Sequence, residues 1–115
     1  MAGSIERIGI VGGGAWGTAL AMAACRAGRA VSLWAREPEV VAEINGQRRN
    51  SAFLPGIVLD AGIKATATFD ALVDADAVLM VTPAPVVRDI GAQLTSLLRP
   101  NVQIVVCAKG SEKRT

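Results

Sequence analysis

The residues with the clearest chemical potential are three glycines in the stretch IGIVGGGAWGT, at positions 8–18. Gly12, Gly14 and Gly17 fit the spacing G-x-G-x-x-G and follow an apolar run typical of a buried strand. In such a turn the first glycine permits the tight bend, the second lets a pyrophosphate approach the backbone, and the third lets helix and strand pack closely. The pattern predicts a dinucleotide-binding turn. A glycine-rich turn without a ligand is the alternative.

Trp16 is a bulky residue placed between two of these glycines. Positions 15 and 16 fall in the first turn of the predicted helix, where only the backbone N–H groups need to face a phosphate. The indole is therefore tolerated. It is expected either to form a wall of the cofactor site or to pack against the neighbouring loop.

The end of the second predicted strand bears on cofactor type. Sites that prefer NAD usually place Asp or Glu there, to bind the ribose 2′-hydroxyl. In this chain Arg36 follows the sequence LWA, and a guanidinium suits a 2′-phosphate. We therefore expect NADPH to be preferred. Because Glu37 is adjacent, NADH remains possible, and an exposed arginine that serves only solubility is the alternative.

Composition narrows the function classes. The 115-residue chain is 51% hydrophobic and carries a net charge of +2. Nine basic and nine acidic side chains lie within residues 1–108, so that region has no basic stripe of the kind that tracks nucleic acid. No apolar run approaches the ~18–20 residues that span a membrane, and no secretory signal is evident, so we expect a cytoplasmic location.

Cysteine and histidine usage excludes other chemistry. Cys25 and Cys107 are far apart in apolar contexts, which predicts two buried thiols rather than a disulfide framework or zinc site. The chain has no histidine, so it cannot supply histidine-based catalysis.

Alternating strand and helix signals predict one α/β domain with a parallel sheet and right-handed crossovers. With the glycine fingerprint at the first strand–helix junction, we interpret it as a Rossmann-type domain, a doubly wound sheet in the order 3-2-1-4-5. High hydrophobicity predicts strands buried on both faces. The predicted strands are 5–11, 30–35, 63–67, 77–82 and 102–108. The predicted helices are 14–27, one opening at Pro38, a short one near 69–73 after Thr68, and one from Pro85 to Pro100. The first helix is expected to face the sheet through Ala19, Ala23, Ala24 and Ala27, and the second through Val40, Val41 and Ile44.

Three motifs in register resemble the bacterial-type NAD(P)-dependent glycerol-3-phosphate dehydrogenase family. They are GGGAWGTALA at 12–21, NSAFLPG at 50–56 and CAKG at 107–110. The resemblance implies reduction of dihydroxyacetone phosphate to sn-glycerol 3-phosphate with NADPH or NADH, which supplies phospholipid synthesis. It also implies that residues 1–115 are the N-terminal cofactor domain, and that a C-terminal helical domain outside this chain carries the catalytic lysine. A homodimer of the longer protein is a further expectation.

The same resemblance assigns individual residues. It places the backbone of Ala15 and Trp16 on the cofactor phosphates, Arg36 at the adenosine ribose, and Phe53 near the cofactor cleft. It places Lys109 beside the nicotinamide and the substrate. A solvated strand-end lysine is the alternative for Lys109, although the carboxyl edge of an open parallel sheet is where such folds bind ligands.

The segment after the fourth predicted strand departs from the family pattern. It reads Thr82-Pro83-Ala84-Pro85, where the family often has polar residues after Val-Pro. Pro83 is therefore expected to contact the cofactor through its backbone only. Other two-domain dehydrogenases, of the β-hydroxyacid or ketopantoate reductase type, and a nucleotide-sensing regulatory domain are the rival interpretations.

Overall fold

A computed structural model describes residues 5–81, 92–94, 96–100 and 102–107. Within these residues the chain alternates strands and helices around one parallel sheet. The proline-rich segment 82–85, the predicted start of the fourth helix, and Lys109 lie outside the described residues.

Five parallel strands form the sheet in the order β3-β2-β1-β4-β5, as predicted. The strands are β1 (Arg7–Val11), β2 (Ala30–Trp34), β3 (Ile63–Thr66), β4 (Ala77–Met80) and β5 (Gln103–Val106). In register, Ile10 of β1 lies between Leu33 of β2 and Leu79 of β4. The chain leaves β1 toward β2 and later returns to the other side of β1 as β4. The carboxyl end of β1 is therefore the point where the strand order reverses.

Two α-helices and one 3-10 helix connect the first four strands. They are α1 (Ala15–Arg26), α2 (Pro38–Gln47) and the 3-10 helix Phe69–Leu72. Residues 92–94 and 96–97 are also helical, and this helical backbone ends before Pro100, as predicted.

The ends of α1 and α2 follow local rules. Gly28 has φ +86°, and the N–H groups of Gly28 and Arg29 donate to Cys25 and Ala24 carbonyls at 2.9 and 3.1 Å, which closes α1 with a Schellman motif. Pro38 begins α2, where its missing N–H is not needed.

The core has two parts, one on each face of the sheet. Ile10 and Val11 are adjacent in β1 and both are fully buried, so this strand has apolar contacts on both faces. One cluster packs beneath α1 and α2 and includes Ile10, Leu33 and Ile44. The other includes Val11, Leu72, Met80 and Leu94.

The predicted inner face of α1 is wrong at three of its four positions. Ala19, Ala23 and Ala27 are exposed, whereas Ala24 is half-buried and packs against the core. The helix fully buries Gly17, Thr18 and Ala21 instead. The close contact of Gly17 with the turn sets the rotation of the helix, and residues one and four positions later then face the sheet. For α2 the expected stripe is correct, with Val40 and Ile44 buried and Val41 half-buried.

Three further predictions need smaller corrections. Strand β5 is not buried on both faces, since Ile104, Val105 and Val106 are 41–54% exposed at the edge of the described sheet. Cys25 and Cys107 are free thiols, but both are only half-buried. Thr68 precedes the 3-10 helix without capping it through its side chain, because its hydroxyl pairs with the Thr66 hydroxyl at 3.2 Å.

Asp76 fastens the amino end of β1 to the start of β4. Its Oδ2 accepts hydrogen bonds from the N–H groups of Glu6 and Arg7, both at 3.0 Å, and its Oδ1 accepts one from Arg99 Nη2 at 2.8 Å. The two backbone donors first, and Arg99 next, lower the pKa of Asp76 to about 2.

We predict a loss of stability when this carboxylate is protonated. Because the pKa of Asp76 is lower in the folded chain than its ordinary value of 3.8, its contribution is complete above about pH 4. That contribution is lost as the pH falls toward 2. Asp76→Asn should therefore show a weaker dependence of unfolding free energy on pH between 4 and 2 than the parent chain, measured by urea unfolding. Asp70→Asn, an exposed carboxylate of the 3-10 helix, is the matched control and should retain the parent slope. Equal slopes for the parent and Asp76→Asn would contradict this role.

Candidate dinucleotide site

The glycine turn lies directly after β1 and is built by close backbone contacts. Gly12 has φ +132°, and its N–H donates to the Trp34 carbonyl at 2.9 Å. A Cβ on Gly12 would lie 2.5 Å from the Val81 carbonyl oxygen, and one on Gly17 would lie 2.0 Å from the Gly12 carbonyl oxygen. Neither neighbour is a flexible side chain. A side chain at either position therefore requires the backbone to move.

Gly14 differs from the other two glycines. A Cβ at this position would meet no atom of the described residues within 4 Å, and Gly14 is the N-cap of α1 in an extended conformation. The space beside it is open, as expected for a residue that a ligand approaches. The three predicted roles of the glycines therefore correspond to three different surroundings.

The first turn of α1 presents free donors. Within the described residues, the N–H groups of Gly14, Ala15 and Trp16 have no hydrogen-bond acceptor. The first turn also contains no acidic side chain, so nothing there opposes an anion at the positive end of the helix dipole. This arrangement can bind a phosphate or pyrophosphate group.

The end of β2 lies beside the same turn. Ala35 is fully buried, and its Cβ would be 2.6 Å from a Cβ built on Gly13. Gly13 is thus a third sterically constrained glycine of the turn, beside Gly12 and Gly17, and the fingerprint spacing does not include it. Arg36 follows Ala35 at once and is exposed, and no carboxylate of the described chain pairs with it. Arg36 therefore lies next to the turn, and its contact with the adenosine ribose stays a prediction.

Asn50 connects the NSAFLPG segment to the glycine turn, and our reading of the sequence missed this connection. Its side chain is fully buried, and Nδ2 donates to the Gly13 carbonyl at 2.8 Å and to Thr18 Oγ1 at 2.9 Å. Thr18 Oγ1 in turn donates to the Gly14 carbonyl at 2.8 Å. An asparagine beginning a motif could have suggested such a role, but the sequence does not indicate its partners.

Phe53 and Trp16 are both partly exposed aromatic residues. Phe53 is 41% exposed and lies in the segment that Asn50 anchors, where its N–H donates to the Asn50 carbonyl at 3.2 Å. Trp16 is 48% exposed at the start of α1. Its two expected positions, as a wall of the site or packed on the loop, therefore remain predictions.

Glu43 holds the same loop from the side of α2. Its carboxylate accepts hydrogen bonds from the hydroxyl and the N–H of Ser51, the latter at 3.0 Å. These two bonds, the hydroxyl bond foremost, lower the pKa of Glu43. Asn50 is therefore held on two sides. Its side chain binds the glycine turn, and its neighbour Ser51 binds Glu43 of α2.

The structure thus brings the glycine turn, Arg36 and the anchored loop together at the carboxyl edge of β1 and β2. Pro83 and Lys109 lie outside the described residues. In the part of the chain that the structure covers, no cluster of three or more acidic, cysteine or histidine residues could hold a metal ion. No helix among those residues is long and apolar enough to cross a membrane.

A matched pair of alanine substitutions should distinguish the tightly packed Gly17 from the open position Gly14. Gly17→Ala should lower the free energy of unfolding by about 1–3 kcal/mol, the range for overpacking, because its Cβ overlaps the Gly12 carbonyl. Gly14→Ala should stay within about 1 kcal/mol of the parent chain, since alanine is only a poorer N-cap than glycine. Denaturant unfolding of both variants measures this difference. Equal losses at the two positions would contradict the distinction.

Comparison with known proteins places these features in a family. The family model for the N-terminus of NAD-dependent glycerol-3-phosphate dehydrogenase matches residues 7–115. A glycerol-3-phosphate dehydrogenase [NAD(P)+] from Paramagnetospirillum magneticum is 51% identical over 111 residues, which are 96% of this chain and 40% of the relative. One from Azorhizobium caulinodans is 50% identical over 97% of this chain and 34% of the relative.

A solved structure agrees with the sequence matches. Glycerol-3-phosphate dehydrogenase from Coxiella burnetii superposes with a TM-score of 0.81 and 29% identity, covering 89% of this chain and 32% of that one. The chain thus spans between about a third and two fifths of the length of these relatives. The family model and the three motifs together favour one interpretation over the rival dehydrogenase and regulatory classes: the chain belongs to the family of NAD-dependent glycerol-3-phosphate dehydrogenase N-termini.

Proposed function

We propose that this chain is the dinucleotide-binding domain of an oxidoreductase that interconverts dihydroxyacetone phosphate and sn-glycerol 3-phosphate. The observation that carries the proposal is the set of N–H donors at the start of α1 that have no acceptor among the described residues, next to the space at Gly14 that those residues leave open. This set lies where the strand order reverses, which is the ligand position of open α/β sheets. Membership of the family supports the same assignment.

In this proposal the pyrophosphate binds to backbone rather than to side chains. Gly12 and Gly17 bring α1 against the end of β1, Gly14 leaves room for the ligand, and the N–H groups of Ala15 and Trp16 donate to phosphate oxygens. Because the carbonyl groups of the same peptide units are held within the protein, the directions of these donors are set before the ligand arrives. Binding therefore requires little ordering of the protein.

Arg36 is proposed to select the phosphorylated cofactor. It is exposed beside the turn, and no described carboxylate pairs with it, so its guanidinium is available for a 2′-phosphate. NADPH is the proposed preference. The neighbouring Glu37 is half-buried and gives the same corner a group that could bind a ribose 2′-hydroxyl, so NADH is a second substrate in this proposal.

The chemistry is proposed to take place at the far end of the bound cofactor, in the longer protein. When bound, the reduced nicotinamide supplies the hydride that converts the ketone to an alcohol. Lys109, two residues after Cys107, is proposed to lie beside the nicotinamide and to stabilise the negative charge that develops on the carbonyl oxygen. Phe53 and the Pro83 backbone are proposed to line the cofactor cleft. The residue that donates the proton is proposed to be a lysine in a C-terminal helical domain.

The biological setting belongs to the same proposal. The product would serve phospholipid synthesis in the cytoplasm, and the longer protein would act as a homodimer. This chain alone is proposed to bind the dinucleotide without turning over substrate.

The role of Arg36, which follows β2, can be tested with a control at Arg29, the residue that precedes this strand. Arg36→Ala should weaken the binding free energy of NADPH by about 1.5–3 kcal/mol, the range for hydrogen bonds to a charged group. The affinity for NADH should change little. Arg29→Ala removes an exposed arginine at the opposite end of β2 and should affect neither cofactor. Titration calorimetry of the chain with both cofactors measures this. Equal losses of NADPH and NADH affinity on Arg36→Ala would contradict selection by Arg36.

The role of Lys109 requires turnover. In a chimaera that joins this chain to the C-terminal region of the Paramagnetospirillum magneticum relative, Lys109→Met should lower kcat by about 10²–10³, as for loss of one oxyanion donor. Cofactor affinity should fall far less, because the pyrophosphate is bound at α1. This chain alone, without that region, should oxidise no NADPH in the presence of dihydroxyacetone phosphate. Unchanged turnover of the variant chimaera, or turnover by the chain alone, would contradict the proposal.

A further inference from the structure

The direction of the Gly14 N–H is determined by what holds the Gly13 carbonyl. Both groups belong to one trans peptide unit, in which C=O and N–H point in opposite directions. The Gly13 carbonyl accepts a hydrogen bond from Asn50 Nδ2 at 2.8 Å, inside the protein. The Gly14 N–H is therefore directed away from the Asn50 amide.

The next peptide unit is held in the same way through Thr18. Asn50 Nδ2 donates to Thr18 Oγ1 at 2.9 Å, so the threonine hydroxyl is left to donate to the Gly14 carbonyl, at 2.8 Å. The Thr18 N–H donates to the same carbonyl at 3.0 Å. With its carbonyl held by two donors, this unit directs the Ala15 N–H away from the helix.

The hydrogen bonds of the Asn50 side chain are one-sided. The side chain is fully buried, and its Oδ1 accepts no hydrogen bond from any described residue. An unpaired buried acceptor is destabilising. Both Nδ2 hydrogens, in contrast, are used on the glycine turn and on the threonine that supports it. The residue is thus used as a double donor to the turn.

We propose that Asn50 is a positioning residue of the dinucleotide site, which sets the direction of the Gly14 and Ala15 N–H groups without touching the ligand. This inference rests on the proposed function for the identity of the ligand. The loop side of the arrangement is fixed as well, because the Asn50 carbonyl accepts the Leu54 N–H at 2.7 Å and Ser51 binds Glu43. The NSAFLPG segment therefore acts on the glycine turn through one buried amide.

The first experiment compares two asparagines. Asn50→Ala removes the bonds to the turn, whereas Asn45→Ala removes a similar pair, in which the Asn45 amide exchanges two 2.9 Å bonds with the backbone of Ala65 on β3. Both variants should lose stability. Titration with NAD+ should show an affinity about 10- to 100-fold lower for Asn50→Ala, the loss expected when hydrogen bonds to a charged group are misdirected. Asn45→Ala should bind like the parent chain.

A second measurement on the same proteins needs no ligand. Residual dipolar couplings of the Gly14 and Ala15 N–H bonds report their direction in the unliganded chain. They should agree with the structure in the parent and in Asn45→Ala, and deviate in Asn50→Ala. Unchanged couplings in Asn50→Ala would overturn the proposal. A different outcome is that the parent chain binds no dinucleotide while the couplings still shift in Asn50→Ala. It would overturn the proposed function and leave the positioning role of Asn50 standing.

A pair of Thr18 variants keeps the test informative if Asn50→Ala does not fold. Thr18→Val removes the hydroxyl that links Asn50 to the Gly14 carbonyl, and Thr18→Ser retains it. Thr18→Val should shift the Ala15 coupling and lower the affinity for NAD+, whereas Thr18→Ser should keep both close to their values in the parent chain. Equal affinity and equal couplings for the two variants would overturn the action of Asn50 on the Gly14 carbonyl through the Thr18 hydroxyl.

Discussion

The structure depends on the contact between the Gly12 carbonyl and the α-carbon of Gly17, where no side chain can fit. This contact lets the first turn of α1 lie directly against the end of β1. It also sets the rotation of the helix, so that Thr18 and Ala21 are buried with Gly17 while Ala19 and Ala23 face outward. The N–H donors at the helix start and the packing of the core therefore have a common origin in two glycines.

A second constraint acts from outside the glycine pattern. The segment after α2 returns to the turn and places Asn50 beneath it, and Arg48 makes this return possible by ending α2 in the left-handed region, at φ 58°. The Arg48 carbonyl then accepts the Leu59 N–H at 2.7 Å, which closes the loop on itself. A loop that is distant in sequence thereby becomes part of the support for the N–H groups at the start of α1.

The sequence predicted the topology well because its signals are local and repeated. Each buried strand and each helix start, such as Pro38 after the end of β2, can be recognised without its partners. The strand order was predicted from the Rossmann fold that the glycine fingerprint indicates. It failed where the answer depends on a distant contact. The inner face of α1 was assigned to alanines by size, but its rotation is set by the Gly12 carbonyl. Likewise the hydrogen bond from Asn50 to Gly13 joins residues 37 positions apart, and no local sequence pattern predicts it.

The division between backbone and side chains accounts for the tryptophan in the turn. In the proposed site the pyrophosphate is bound by N–H groups whose directions are fixed by buried carbonyl contacts, so the side chains at positions 15 and 16 have no part in holding it. Trp16 can project 48% exposed from the first turn without disturbing these donors. In this proposal, affinity for a dinucleotide and choice between dinucleotides are separate properties, because the first is assigned to the backbone at Gly14 and the second to one exposed guanidinium at Arg36. A change of cofactor preference would therefore require substitution at the end of β2 and no rebuilding of the glycine turn.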